Sequence, residues 1–177
     1  MARRARVVDM ASATDGRLLD VLLDSWDRNN AILLSLLRAV PEGGLDARAG
    51  ESSPSVAQQF AHVHHERLIS VFEEAPEFSR GVPEGEWTVA RGRDRIAQML
   101  ADSAQAVRDA VKGRVLAGRD LDRSYDHPIL MLQLMLWHEG YHHGQIKLAL
   151  KLAGLPISDD EAGPWTWDVW RGRKGRP

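Results

Sequence analysis

The sequence predicts an all-α protein, a four-helix bundle, and three observations predict it. Apolar residues recur at alternating four- and three-residue intervals over four long segments. The breaks between those segments are rich in Gly, Pro and Asp. No segment reads as a strand. A chain of 177 residues suits a single domain with a sizeable core, and four long helices in one such chain pack as a bundle. The connections are long enough to leave the topology open.

The first helix is expected over residues 15–40, with Thr14 as its cap. Leu19, Leu23, Trp26, Asn30, Leu33, Leu37 and Val40 form its seam, and Pro41-Glu42-Gly43-Gly44 ends it. The second helix, over 54–74, opens at Ser53-Pro54, a cap residue followed by a first-turn proline. Val56, Phe60 and Val63 begin its apolar stripe, Leu68, Val71 and Phe72 continue it, and Pro76 stops it. After a looser stretch over 76–89, the third helix spans 92–116, with Ile96, Leu100, Ser103, Val107 and Ala110 facing inward. The fourth spans 127–153, with Pro128 in its first turn, Gly154 suited to its C-cap and Pro156 beyond. A Trp-rich tail occupies 155–177.

Composition narrows the function. The net charge of −2 provides no global field for nucleic acid or membrane. Basic residues at the two ends (Arg3, Arg4 and Arg6; Arg171, Arg173, Lys174 and Arg176) read as solvated tails, so no nucleic-acid partner is expected. The absence of cysteine excludes disulfides, thiolate metal sites and a cysteine nucleophile. Any metal must use imidazole, carboxylate or water. No apolar run is long enough to span a bilayer. The opening MARRARVVDM is basic without an apolar core behind it. A cytoplasmic location, without membrane attachment, is expected.

The fourth helix carries the chemistry. Its seam reads Met131, Met135, His138, His142, Gln145, Ala149, Leu152, so three consecutive inward positions are polar. A buried polar group without a partner costs about 1–3 kcal/mol. Histidines one turn apart project from one face, and both imidazoles can reach one zinc ion at about 2.0–2.1 Å. The plainer reading is a pair of core histidines bonded to each other or to backbone. An i, i+4 pair in a seam, with further histidines on another helix, favours the metal, because bundle cores are a usual place for such sites. His143 lies off the seam and reads as a surface or supporting residue. On the second helix, Ala61-His62-Val63-His64-His65-Glu66 offers the rest. His62 and His64 flank the apolar stripe on opposite sides, and His65 lies further round. Periodicity leaves the third ligand open, and Leu68 and Val71 draw the face toward His64. Glu66 reads as a ligand, a base or a solvated charge.

Three stretches resemble the DinB/YfiT-like metalloenzymes, a bacterial four-helix superfamily. Ser55-Val56-Ala57-Gln58-Gln59-Phe60-Ala61-His62 is similar to the family's second-helix stretch ending in a ligand histidine. His138-Glu139-Gly140-Tyr141-His142-His143-Gly144-Gln145 matches its H-x-x-x-H-[RH]-G-Q signature. Trp165-Thr166-Trp167-Asp168-Val169-Trp170 looks like the Trp-rich ending of one subgroup. The resemblance implies His62, His138 and His142 as metal ligands, with His64 in reserve. Gln145 sits at the signature glutamine, a position to support a ligand or bound water. The resemblance also implies a homodimer.

Three neutral histidines leave a coordination position open, the mark of a catalytic rather than a structural site. They suit a divalent ion, zinc or nickel foremost, with manganese and iron compatible. The resemblance favours an enzyme that joins an external low-molecular-weight thiol to an electrophilic small-molecule substrate, since some relatives are thiol transferases and others isomerise with such a thiol. The runner-up is metal-dependent hydrolysis with Glu66 or Glu139 as base, although Glu139 points about 100° away from His138. A non-catalytic metal-binding stress protein is the reading outside enzymes. The rings of Trp165, Trp167 and Trp170 pack the tail across the bundle, or line a pocket or a dimer contact.

Overall fold

The structure, a computed structural model, describes residues 2–90 and 92–171, with side chains from residue 16 onward. Four long helices make the expected all-α architecture: α1 (Ala2–Ala39), α2 (Val56–Glu74), α3 (Arg93–Leu116) and α4 (Pro128–Leu152). Two short helices, α5 (Asp159–Ala162) and α6 (Trp167–Trp170), bring the tail back to α1. Among the described residues there is no strand, only an isolated bridge between Arg48 and Ser55.

Two helix starts differ from the sequence reading. α1 begins at Ala2, ahead of residue 15; no proline or glycine stands between residues 2 and 15 to stop it. Thr14, expected as the cap, falls inside α1 and so cannot start it; its side chain and those of Arg3, Arg4, Arg6, Arg173, Lys174 and Arg176 lie outside the described residues. α2 is capped by Ser55 instead of Ser53. The Ser55 hydroxyl accepts from the Gln58 amide at 3.2 Å, and Gln58 Oε1 accepts from the Ser55 amide at 2.9 Å. This reciprocal pair needs a Gln or Glu three residues after the cap. Ser53 would have Val56 there. At the far end of α4, Gly154 takes the left-handed conformation, φ 76°, that closes a helix.

The core fixes the topology. One apolar cluster joins Leu33 and Leu37 of α1 to Val56 and Phe60 of α2, Ile96 and Leu100 of α3, and Ile146 and Leu150 of α4. A second joins Leu19 and Leu23 to Val71, Val107, Met131 and Met135. Hence α2 and α3 run the same way, and α1 and α4 run opposite to them. The connection between α2 and α3 must therefore travel the length of the bundle. α1 and α2 face one another across it, each flanked by α3 and α4. The expected seams of α1 and α3 are buried or half-buried throughout. Phe72 and Leu152, assigned inward, are exposed. Phe72 follows the buried Val71 by about 100°. A straight helix drifts about 20° per heptad from a four-three seam, so three heptads after Met131 the seam has turned Leu152 out.

Between the two apolar clusters lies a polar layer. Arg67 of α2 and Glu139 of α4, both fully buried, form a two-point ion pair, Nε to Oε1 at 2.6 Å and Nη2 to Oε2 at 2.7 Å. Arg67 Nη1 also donates to Asn30 Oδ1 at 3.0 Å and to the Leu100 carbonyl at 2.7 Å. Asn29 donates to Glu139 Oε2 at 2.6 Å. The guanidinium carbon stands 4.9 Å from the Trp26 ring centroid, an added cation–π attraction. Each of the four long helices thus contributes to holding one buried pair, the condition under which such a pair is tolerated.

Candidate metal centre

α4 presents His138 and His142 one turn apart, and α2 presents His62 opposite them. His138 Nε2 lies 3.1 Å from His62 Nε2 and 3.1 Å from His142 Nε2. These three residues form a group able to hold a metal ion, their ligand atoms all within 4.8 Å of one another. Three nitrogens at about 2.0–2.1 Å from one zinc ion stand about 2.8–3.4 Å apart for angles between about 90° and 109°. The 3.1 Å spacings fall inside that range.

Protonation supports the same fit. Burial, then the neighbouring His62, lowers the pKa of His138. Burial, then His138 and His62, lowers that of His142 to about 4. Both imidazoles are neutral near pH 7 and offer lone pairs. His62 is oriented by its partner: Nδ1 lies 2.8 Å from Glu86 Oε1, so Nδ1 carries a proton, and in the neutral ring Nε2 keeps its lone pair. His138 Nε2 can carry one proton at most, yet it faces two other ring nitrogens. One shared cation would engage all three lone pairs, and the residues present fit a divalent metal.

The crossover between α2 and α3 supplies two residues that the sequence reading did not single out. Glu86 orients His62, the carboxylate–histidine arrangement that metal sites use to fix tautomer and ring angle. Trp87 stacks on the same imidazole, with centroids 4.6 Å apart and planes 9° from parallel. The Tyr141 ring stands edge-on to His142 at 5.3 Å. Aromatic surface therefore borders the cluster from the crossover and from α4.

The remaining candidates are distributed as follows. His64 stands apart: its Nδ1 donates to the Met99 carbonyl at 2.8 Å, and it lines a separate cleft with Arg80, Arg95 and Asp102. Gln145 is half-buried beside His142 and favours its charged form, but His142 Nδ1 remains buried without a hydrogen-bond partner. His143 packs edge-on toward Trp165 at 6.4 Å. Glu139 points away from the cluster, as its position one residue after His138 requires, and its carboxylate is consumed by Arg67. Glu66 lies close: its carboxylate, His62 and Glu86 form a second group with ligand atoms within 4.8 Å. Trp165 packs on the core, whereas Trp167 and Trp170 are exposed rings bordering a cavity against α1 and α4.

No helix among the described residues is long and apolar enough to cross a membrane. A model of the DinB family matches residues 10–163. No curated protein and no solved structure matches the chain.

Proposed function

The chain belongs to the DinB family, and from the meeting of its three imidazoles we propose that it is a divalent-metal-dependent enzyme that transfers an external low-molecular-weight thiol to an electrophilic small molecule. The gathering of three imidazole ligand atoms within 4.8 Å of one another, with no fourth protein nitrogen or sulfur in the group, carries this reading. Zinc or nickel suits three imidazoles best, and manganese or iron is compatible. A divalent ion held there would lower the pKa of a thiol or water joining it. The sequence has no cysteine, so the sulfur must come from a cofactor. In the transfer a carbon–sulfur bond forms, the thiol proton leaves to solvent or a base, and the electron pair of the broken bond departs with the leaving group.

The chain's own residues serve this chemistry in distinct ways. His62, His138 and His142 would hold the ion. Glu86 keeps the proton of His62 on Nδ1. Trp87 and Tyr141 restrict water and offer flat apolar surface to an electrophile. A cytoplasmic setting, expected from the sequence, keeps small thiols reduced.

A second reading, metal-dependent hydrolysis, draws on one observation: Glu66 lies within reach of His62 and Glu86, at hand to take a proton from water. Two measurements test these readings. Elemental mass spectrometry of the untagged protein should find about one metal per chain, lost in His62→Ala and His142→Ala. The loaded protein should then consume thiol and electrophile together from a panel of both. Ester or amide cleavage without thiol would select hydrolysis, with Glu66→Gln inactive. A tightly held metal with neither activity would leave the protein a metal-binding stress protein.

A further inference from the structure

Behind the tail lies a cavity of about 230 Å³, bordered by α1, α4, α5 and α6. Its floor is apolar and buried, made by Ile32 and Leu33 of α1 and Ala162 of α5. Trp167 and Trp170, three residues apart on α6, form its outer wall and remain 63% and 46% exposed. The segment that carries this wall is tied down. Lys147 of α4 pairs with Asp159 at 2.8 Å, the Thr166 hydroxyl donates to the Ala162 carbonyl at 2.7 Å, and Arg28 of α1 donates to the Val169 carbonyl. The tail is therefore anchored to both long helices while two large apolar rings stay uncovered. The cavity is separate from the metal centre: His143 and Lys147, which border it, stand about 140° and 180° round α4 from His138.

Gly140 gives a second indication. It sits at the edge of the cavity, in the middle of α4. A Cβ added there would meet nothing within 4 Å, so no neighbour in the chain demands a glycine, and glycine inside a helix disfavours it. A side chain at this position would take up room at the mouth, and its absence keeps the mouth open.

We propose that this cavity is a second small-molecule site, taking a flat, uncharged compound of one or two rings that carries a hydrogen-bond donor. Volume sets the size. A cavity of about 150 Å³ admits one benzene ring, drug-sized ligands need about 300–1,000 Å³, and this one lies between. The tryptophan rings set the shape, since aromatic faces stack on flat partners. The charges at the cavity are already matched, Lys147 by Asp159 and Glu139 by Arg67, so a charge on the ligand would go unpaired. Asn29 sets the donor: its amide nitrogen is given to Glu139 at 2.6 Å, which leaves the amide oxygen to accept from the occupant.

Isothermal titration calorimetry of the full chain with 2-naphthol tests the site. The dissociation constant should fall below about 1 mM, within reach of a ligand of about eleven non-hydrogen atoms. Decahydro-2-naphthol, with the same skeleton and hydroxyl but not flat, and the anion 2-naphthoate should each bind at least about tenfold more weakly. Trp170→Ala should weaken 2-naphthol by at least about tenfold with helical circular dichroism unchanged. Gly140→Leu should abolish binding and raise the thermal midpoint, because leucine favours a helix over glycine; a damaged fold cannot give that pair of results. Trp87→Ala, at the metal centre, should bind 2-naphthol as the wild type does. No binding at about 2 mM, equal binding of the decahydro compound or the anion, or binding that survives Gly140→Leu would each overturn the proposal. So would binding lost in Trp87→Ala and kept in Trp170→Ala, which would move the probe to the metal centre.

Discussion

Arg67 and Glu139 meet in a buried ion pair one residue along α4 from His138, so a fully paired couple of charges in the core stands beside the candidate metal ligands. Removing one partner leaves the other charge buried and alone. Arg67→Met or Glu139→Leu should each lower unfolding free energy by about 3–5 kcal/mol, and the double substitution should cost less than either. Urea denaturation of the three variants checks this. A double variant as damaged as the sum of the singles would show that the two side chains act independently.

Glu86 is the outer partner of His62, at 2.8 Å. Glu86→Gln removes the charge that favours the Nδ1 proton and should weaken metal affinity about 10- to 100-fold. Competition against a chelator of known affinity measures the change. Because Glu86 is on the crossover and outside the core clusters, thermal stability of the metal-free protein should hardly move. Unchanged affinity would remove Glu86 from the centre.

The metal-free protein should lose stability in acid through His142. Its folded pKa of about 4 lies below the ordinary value of 6.5. Above pH 6.5 both folded and unfolded states hold it neutral. Below that value the unfolded chain takes a proton that the folded chain refuses, so stability falls as pH drops from 6.5 toward 4. Urea midpoints at about pH 7.5 and about pH 5 should differ less in His142→Gln than in the wild type. An equal slope in both would place the titration elsewhere.

His64 should prove structural. Its Nδ1 is occupied by the Met99 carbonyl, on a face away from His62. His64→Ala should retain about one metal per chain, while lowering stability by about 0.5–1.5 kcal/mol for the lost hydrogen bond to the Met99 carbonyl. Loss of the metal with wild-type stability would return His64 to the ligand set.

The polar centre was largely legible in the pattern of the seams. Asn30 and Ser103 interrupt otherwise apolar inner faces, and His138, His142 and Gln145 do so on α4. The same stepping along α2, from Val56 through Phe60 and Val63, arrives at Arg67; the buried arginine sat in plain view, overlooked because arginine is seldom fully buried. His62 is different. Periodicity alone inclined to His64, because the apolar face of α2 shifts partway along, and only the family-like stretch ending at His62 separated them. Glu86 and Trp87 left no trace, since an irregular crossover has no period to read. Its path over His62 follows from the parallel course of α2 and α3, which the loop lengths did not reveal.

The layer around Arg67 has a consequence for the height at which each helix sits. An apolar seam tolerates sliding, because one leucine replaces another a turn later. Here α1 contributes an amide, α2 a guanidinium, α3 a carbonyl and α4 a carboxylate, all at one level. Slipping α2 or α4 by one turn, about 5.4 Å, would leave an ion without its counterpart in the middle of the protein. The layer acts as a vernier: it pins α2 against α4 within about one and a half turns of the imidazoles, so His62 meets His138 and His142 in a single axial alignment.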